Sequence, residues 1–415
     1  MQNLPHIEII NLGDELLLGL RDNSHLTYLT KKLCALGLPV ARNLVIRDAP
    51  SEIKDCFTEV WERSDIVITT GGLGPTCDDN TREAIAACLG IPLQHNSKVE
   101  DSIKKHFEHR GLEMLQNNLC QAQVLEGAEA LPNKRGTAPG LWLNHAQKLL
   151  IMLPGPSSEL HPMVEEEVVP RLRQADWVAQ EPAYLSFRVM GQGESQIATT
   201  LQKLFDAQGS KLQVAYCAHN GIVDIRLSGL SRVTIEGIAE DARSLLGQDF
   251  IGFGECRLEE LILGQLRTLN QHLALAESCT GGLLASKITD ITGASDVFVG
   301  SAVCYTEVAK VTQLKVPREV IRTQGAVSGE CAAAMASGAA SHFRTAYALS
   351  TTGFLGPTGG KEAPVGTVFL GCCSPQGVTT LRLSLKGDRI TMKERAANAA
   401  LDWLRRQLME AEWAL

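Results

Sequence analysis

The chain has few of the signals that mark secreted, membrane-spanning or zinc-binding proteins. Its 415 residues include 12 cysteines but no C-x-x-C pair, which argues against a zinc ribbon and against a secreted disulfide framework. No apolar run approaches the roughly 20 residues that span a membrane. The N-terminus has no basic, apolar and small-residue signal pattern, so we expect a cytoplasmic protein.

Basic clusters are also missing. The formal net charge is −8 and no long Lys/Arg block occurs, whereas a non-specific nucleic-acid binder normally carries a basic stripe. We therefore expect small polar metabolites as partners, with no direct contact to nucleic acid or membrane.

The length predicts more than one domain, because 415 residues exceed one ordinary hydrophobic core. The pattern of apolar residues that indicates a hydrophobic core weakens around Pro170 to Glu181. The segment after it is short and contains no motif that suggests chemistry of its own. We predict an N-terminal domain at 1–170, a small α+β linker domain at 171–255 and a C-terminal α/β domain at 256–415.

The N-terminal third alternates strand-like and helix-like segments. Apolar runs at 7–12, 40–46 and 65–70 read as strands, and helical patterns lie between them. This alternation predicts an α/β fold with a doubly wound, mostly parallel sheet. Ligands of such sheets bind beyond the carboxyl ends of the strands.

A glycine-rich turn follows the third of these strands. Its glycines allow a phosphate to approach the backbone, and the adjacent carboxylates suggest a divalent cation held at Asp79. The alternative is that Asp79 and Thr81 simply cap the helix at 82–89. The candidate nucleotide-site residues are Gly71, Gly72, Gly74, Asp78, Asp79 and Thr81.

In the C-terminal third, Ser278 follows the apolar run 273–275 and precedes a helix-like segment that starts at Gly281-Gly282. A strand-to-helix turn presents backbone N–H groups that favour negative charge. It suits a hydroxyl nucleophile and the oxyanion that its attack creates. Helix capping by Ser278 or Thr280 is the alternative.

A serine nucleophile needs a base, and no histidine lies in a suitable turn of this domain. Lys310 is the candidate, because a partly desolvated lysine can have its pKa lowered enough to accept a proton. Tyr305 could relay a proton. The alternative for Lys310 is an ordinary solvent-exposed lysine on a helix. Cys279 is a rival nucleophile, although a small buried thiol is its commonest state.

Two further features suit an anionic substrate. Flexible backbone at Thr352-Gly353 and at 356–360 can approach an anion, and Arg389 can pair with a phosphate through two hydrogen bonds.

Motifs in a fixed order along the chain resemble one family. The C-terminal motifs are Glu277-Ser278-Cys279-Thr280-Gly281-Gly282, Tyr305 with Lys310, Gly325-Ala326-Val327-Ser328, Thr352-Gly353-x-x-Gly356-Pro357 and Gly387-Asp388-Arg389. The N-terminal motifs are Gly13-Asp14-Glu15-Leu16-Leu17-Leu18-Gly19, Gly71-Gly72-Leu73-Gly74-Pro75-Thr76, Asp79-x-Thr81-Arg82-Glu83-Ala84 and Gly136-Thr137-Ala138-Pro139-Gly140. The region from about 258 to 410 resembles the CinA C-terminal domain, the nicotinamide mononucleotide (NMN) amidohydrolase family. The N-terminal region resembles the molybdopterin-binding-like domain of CinA.

The resemblance implies a hydrolase that converts NMN to nicotinate mononucleotide and ammonia in pyridine-nucleotide recycling, without a cofactor. It implies that Ser278 is the nucleophile and that Lys310 and Tyr305 activate it. Domains of this kind often pair, so a homodimer is expected. The residues expected around the ligand are Thr280, Gly281, Thr352, Gly353 and Arg389.

For the N-terminal domain the resemblance implies a divalent-metal-dependent ADP-ribose pyrophosphatase with Asp79 near the pyrophosphate. This sequence departs from the usual pattern, since Cys77 and Ser158 stand where basic residues are common and Asn80 replaces an apolar residue. The alternative function for the whole chain is a non-catalytic pterin- or nucleotide-binding protein linked to competence or DNA damage.

Overall fold

The computed structural model describes residues 4–175, 184–360 and 363–413. The chain divides into two compact units, of which the first ends at residue 183 and the second begins at Tyr184. The helices and strands of the first unit are β1 (Ile7–Leu12), α1 (Asp14–Leu17), α2 (Ser24–Ala35), β2 (Val40–Ile46), α3 (Pro50–Arg63), β3 (Ile66–Thr70), α4 (Thr81–Leu89), β4 (Leu93–His95), α5 (Ser97–His109), β5 (Gln123–Leu125), β6 (Glu129–Leu131), β7 (Gly140–His145), β8 (Lys148–Leu153), α6 (Ser157–Met163) and α7 (Val169–Gln174).

A six-stranded sheet with the order β2-β1-β3-β8-β7-β6 forms the centre of this unit. Strands β2, β1, β3 and β8 run parallel, and β7 and β6 add an antiparallel edge. Successive residues of a strand point to opposite faces, so Ile9 and Ile10 enter two different cores. Every residue of β1 is buried, as expected for a strand covered on both faces. The predicted doubly wound, mostly parallel α/β sheet is confirmed.

The predicted first domain boundary, between residues 170 and 171, lies within α7. Val169 and Leu172 of this helix pack into the core under one face of the sheet. The helix therefore extends the N-terminal unit beyond Pro170, where the predicted core signal fades. The part of that fading stretch at 176–181 lies outside the described residues.

The second unit contains two sheets. Its elements are β9 (Tyr184–Met190), α8 (Glu194–Asp206), β10 (Gln213–His219), β11 (Ile222–Ser228), α9 (Arg232–Leu246), β12 (Phe250–Phe253), α10 (Leu258–Thr268), β13 (Leu273–Glu277), α11 (Leu283–Thr289), β14 (Phe298–Val303), α12 (Glu307–Leu314), α13 (Arg318–Gln324), α14 (Gly329–Phe343), β15 (Tyr347–Gly353), β16 (Thr367–Ser374), β17 (Gly377–Ser384) and α15 (Arg389–Trp413).

The first sheet is antiparallel with the order β10-β11-β9-β12, and its core is formed with α8 and α9. The second has the order β14-β13-β15-β16-β17, in which β14, β13 and β15 are parallel and β16 and β17 form an antiparallel hairpin. Met190, Ile222 and Ile251 share one core with α10 and α15, so the segments on both sides of residue 255 pack together.

No helix in the described part of the chain combines the length and apolar character needed to cross a bilayer.

Candidate active site

Ser278 lies at the carboxyl end of β13, between the ends of the two parallel neighbours β14 and β15. Its backbone N–H donates a hydrogen bond to the Thr351 carbonyl oxygen (3.0 Å), which ties the turn to β15. The side chain is only 7% exposed. The predicted strand-to-helix turn is therefore present, and its hydroxyl is held close to the sheet.

The carboxylate of Glu277 organises this turn. Its oxygens accept hydrogen bonds from the backbone N–H groups of Gly282 (2.9 Å), Leu284 (3.0 Å) and Ala285 (2.9 Å). The Ser301 hydroxyl donates to the same carboxylate at 3.2 Å. A fully buried negative charge is thereby placed at the start of α11, where otherwise unpaired N–H groups and the helix dipole favour it.

Glu277→Gln is expected to lower the free energy of unfolding of this unit by about 2 kcal/mol, because charged acceptors contribute more per hydrogen bond and the new amide turns an N–H toward a donor. The measurement is the shift of the thermal or urea unfolding transition. Glu330→Gln, an exposed change in the first turn of α14, is the matched control and should leave the transition nearly unchanged. Equal effects of the two changes would contradict a special role for Glu277.

Lys310 comes from α12 and reaches the hydroxyl of Ser278. Its Nζ lies 2.8 Å from Ser278 Oγ and 2.9 Å from the Cys304 carbonyl oxygen. The residue is 2% exposed. Burial lowers the pKa of the Lys310 ammonium below the ordinary lysine value, because desolvation penalises the charged form. Lys310 is therefore not the solvent-exposed helix lysine that the sequence left as an alternative, since it is buried and contacts Ser278.

Cys279 is also buried beside this pair. Burial raises the pKa of its thiol to about 11, so the thiol carries its proton at neutral pH. The geometry favours Ser278 over Cys279 as the group that Lys310 can deprotonate, because the amine is hydrogen-bonded to the hydroxyl at 2.8 Å.

A cavity of about 350 Å³ opens in front of Ser278. Arg389 forms part of its wall and donates hydrogen bonds to the Gly356 carbonyl oxygen (2.6 Å) and to the Tyr305 hydroxyl (2.8 Å). Tyr305 thus contacts the arginine rather than Ser278 or Lys310. The structure brings most of the predicted residues to this cavity: Ser278, Tyr305, Lys310, Thr352, Gly353 and Arg389.

Thr280 and Gly281 are not among the described residues that line the cavity. The Thr280 hydroxyl is completely buried and shares a hydrogen bond of 2.7 Å with the Thr351 hydroxyl. The expected ligand contact of Thr280 is therefore not present. Its side chain is buried in the protein and stabilises the turn through Thr351.

The loop before α14 forms a wall of the cavity that sequence reasoning did not assign. Ala326 and Val327 line the cavity, and the Ala326 carbonyl oxygen accepts a hydrogen bond from the Thr352 hydroxyl (2.7 Å). The Ser328 hydroxyl accepts from the Cys331 N–H and so fixes the start of the helix. The motif Gly325-Ala326-Val327-Ser328 was recognised in the sequence. It does not show by itself that this loop contacts the end of β15.

The glycine turn after β3 is packed by its own side chains. A Cβ at Gly72 would lie 1.9 Å from Thr81 Oγ1, and one at Gly74 would lie 2.4 Å from Asp79 Oδ2. The Thr81 hydroxyl donates to the Gly71 carbonyl oxygen at 3.3 Å. Close packing within the turn therefore explains these glycines without a bound phosphate.

Asp79 is held within the same turn. Its carboxylate accepts hydrogen bonds from the backbone N–H (2.9 Å) and the hydroxyl of Thr76, while the N-cap position of α4 belongs to Asn80. The alternative of helix capping by Asp79 and Thr81 is thus wrong. Among the described residues, no group of three or more His, Cys, Asp or Glu side chains is arranged to hold a metal ion, and Asp78 is exposed. The described side chains therefore supply no complete metal site by themselves, and the metal role of Asp79 stays a prediction in which phosphate oxygens of the substrate would be further ligands.

Gly72→Ala is expected to destabilise the first unit by about 2 kcal/mol more than Gly90→Ala. Both glycines have a left-handed backbone, with φ of +66° and +64°, but nothing lies within 4 Å of a Cβ at Gly90. The pair therefore separates the clash with Thr81 from backbone strain. Urea unfolding of both variants measures the difference, and equal losses would show that only strain matters.

A polar network at the carboxyl edge of the first sheet was missed. The His25 ring lies 3.4 Å from Thr70 Oγ1 and 3.3 Å from Ser157 Oγ, and Asn11 Nδ2 donates to Thr70 Oγ1 at 2.8 Å. Asn11 lies near the end of β1, Thr70 ends β3, Ser157 starts α6 after β8 and His25 lies in the first turn of α2. Separations of up to 132 positions hide these contacts from a reading of the sequence.

Two family models and several relatives match the sequence of this chain. A family model described as "CinA C-terminal domain" matches residues 255–408, and one described as "Probable molybdopterin binding domain" matches residues 8–174. A CinA-like protein of Kosmotoga olearia is 40% identical over 97% of this chain and 98% of its own length. A CinA-like protein of Dictyoglomus thermophilum is 38% identical over 97% of this chain and 99% of its own length. The crystal structure of competence/damage inducible protein CihA from Agrobacterium tumefaciens is 36% identical, covers 36% of this chain and 94% of its own, and has a TM-score of 0.35. The chain therefore belongs to the CinA family.

Proposed function

We propose that the protein is a nicotinamide-nucleotide amidohydrolase that converts NMN and water to nicotinate mononucleotide and ammonia. The observation that carries the proposal is the 2.8 Å separation of Lys310 Nζ and Ser278 Oγ at the wall of a cavity. A buried amine with a lowered pKa can accept the proton that a serine must lose before it attacks an amide.

In the first step, neutral Lys310 takes the hydroxyl proton while Ser278 Oγ bonds to the carboxamide carbon. The protonated amine then returns this proton to the departing nitrogen, so that ammonia leaves and a serine ester remains. Water attacks the ester in the second step, with Lys310 again accepting a proton and passing it to Ser278 Oγ. Nicotinate mononucleotide leaves, and both side chains return to their starting state.

Arg389 is proposed to bind the substrate phosphate. Its guanidinium is held at the cavity wall by Gly356 and Tyr305, an orientation that suits charge-assisted hydrogen bonds to phosphate oxygens. Tyr305 is proposed to position Arg389, since its hydroxyl contacts the guanidinium rather than the reacting pair.

The direct test is to incubate the full-length protein with NMN and measure ammonia and nicotinate mononucleotide, which should form in equal amounts. Hydroxylamine should intercept a serine ester and divert part of the product to the hydroxamate. Tight NMN binding without any turnover would instead favour the non-catalytic nucleotide-binding alternative.

Arg389→Met is expected to raise KM for NMN by about tenfold or more, since charge-assisted hydrogen bonds contribute roughly 1.5–3 kcal/mol. KM for nicotinamide riboside, which lacks the phosphate, should change little. Arg318→Met, an exposed change at the start of α13, is the control. Equal increases for both substrates would show that Arg389 does not contact the phosphate.

The pyrophosphatase activity expected from the N-terminal resemblance is a separate proposal. It rests on the motifs of the glycine turn and on their place at the carboxyl edge of a parallel sheet, where ligands bind in such folds. The full-length protein should release AMP from ADP-ribose with added Mg²⁺ and lose this activity with a chelator. AMP formation that continues in the presence of the chelator would contradict a metal-dependent reaction.

A further inference from the structure

Arg82, in the first turn of α4, is buried beneath the glycine turn that follows β3, and only 1% of it is exposed. Its guanidinium donates hydrogen bonds to the carbonyl oxygens of Leu73 (2.9 Å) and Gly74 (3.4 Å), and its third contact, with Cys120 Sγ, is 3.9 Å long. All of these partners are neutral, and Nε has no partner among the described residues. Arg82 is therefore a buried positive charge that contacts no carboxylate in the described part of the chain.

A buried charge is unfavourable unless an opposite charge compensates it. Arg405, which is 3% exposed, shows the usual solution, since it donates to the Asp402 carboxylate at 2.9 Å and 2.6 Å. Arg82 has no such carboxylate in contact with it. The glycine turn above Arg82 is therefore an electrostatically favourable place for a bound anion.

The peptide groups of this turn all face the same way. The carbonyl oxygens of Gly71 and Gly72 accept hydrogen bonds from the hydroxyl and the N–H of Thr81, both at 3.3 Å, and that of Leu73 accepts from the buried arginine. In a trans peptide the N–H points opposite to the carbonyl, so the N–H groups of Gly72, Leu73 and Gly74 point away from α4. Within the described ranges these three N–H groups have no acceptor. Successive N–H groups of this kind are suited to phosphate oxygens.

We propose that Arg82 is a positioning residue for a pyrophosphate group bound at this turn. Its hydrogen bonds hold the carbonyl oxygens on one side, which leaves the N–H groups available on the other, and its charge attracts the phosphate oxygens across the turn. The choice of pyrophosphate as the ligand rests on the activity proposed for the N-terminal domain. The Asp79 carboxylate, which accepts from the Thr76 N–H, belongs to the same turn, so Mg²⁺ is included in the test.

The test is isothermal titration calorimetry with inorganic pyrophosphate and Mg²⁺, which measures binding without turnover. The parent protein is the full-length chain with Arg389→Met, because this change removes the phosphate ligand proposed for the cavity at Ser278. Cys120→Asp places a carboxylate beside the guanidinium of Arg82 and compensates its charge, while the hydrogen bonds of Arg82 to the turn remain. Pyrophosphate binding should weaken at least about tenfold, as expected for neutralising a partly buried charge a few ångströms away. Cys120→Asn, which has the same shape without the charge, should bind as the parent does.

Arg82→Gln should cause a similar loss of affinity, and thermal unfolding shows whether this variant keeps its fold. The two Cys120 variants retain Arg82, so they decide the question even where Arg82→Gln does not fold. Absence of pyrophosphate binding by the parent would overturn the proposal. Equal affinities of Cys120→Asp and Cys120→Asn would also overturn it, because Arg82 would then act only by supporting the turn.

Binding that Cys120→Asp weakens, in a protein that releases no AMP from ADP-ribose, would support the role of Arg82 and contradict the pyrophosphatase activity. The two proposals can therefore fail separately.

Discussion

Ser278→Ala is expected to reduce ammonia release from NMN by at least about 10³-fold, to the background rate, because it removes the atom that forms the ester. The variant should keep its affinity for NMN, since the cavity wall at Arg389 and Thr352 is unaltered. Steady-state ammonia production and NMN binding by calorimetry measure the two effects separately.

Ser286→Ala is the matched control, because this serine lies eight positions further on, on the exposed side of α11. Its activity should equal that of the wild type. Retention of most activity by Ser278→Ala would contradict a serine ester. Cys279 would then be the first residue to test, by Cys279→Ala and by the double variant.

Lys310→Met is expected to lower kcat by about 10²–10⁴-fold, the range that general-base catalysis provides. In the wild type, the rate should rise with pH as Lys310 loses its proton, with a midpoint below the ordinary lysine pKa of about 10.4 because burial disfavours the ammonium. The variant should lack this rise. A pH–rate profile of both proteins measures the difference.

The same change should stabilise the fold. The pKa of Lys310 is lower in the folded than in the unfolded chain, so the unfolded chain binds this proton more tightly at neutral pH. The folded wild type gains stability from this group only as pH rises from the lowered pKa toward the ordinary lysine value. Lys310→Met should therefore unfold at a higher temperature at pH 7, the direction that the lowered pKa gives.

Lys386→Met, an exposed change in the same unit, is the control and should alter neither activity nor stability. An activity loss accompanied by a lower unfolding temperature would contradict the assignment of Lys310 as a buried general base. It would indicate that Lys310 is needed mainly to stabilise the fold.

Local sequence patterns predicted several elements closely. The apolar runs at 7–12 and 40–46 coincide with β1 and β2, and the run at 65–70 matches β3 to within one residue. These segments have a clear period or clear end signals, so their own residues specify their structure. The strands β4, β5 and β6 were missed because three residues each are too few to show a clear period. The six-residue strand β7 was missed as well.

The candidate site also contains some features that local sequence patterns predict and others that they do not. Ser278 at a strand-to-helix turn could be predicted from a buried strand and two glycines, whereas the ligand contact expected for Thr280 is not found at this cavity. Which side of a tight turn a small side chain occupies depends on the neighbouring strand, here on the hydroxyl of Thr351.

The sequence alone thus determined the alternation of strands and helices, the position of the serine turn and the residue types available for chemistry, because these depend on neighbours within a few positions. Only the tertiary structure decided that Lys310, 32 positions from Ser278, lies 2.8 Å from its hydroxyl, and that Arg389, 84 positions from Tyr305, closes the same cavity. The physical reason is that β14, β13 and β15 bring distant segments to one sheet edge, and burial there, which no local pattern encodes, lowers the pKa of the lysine.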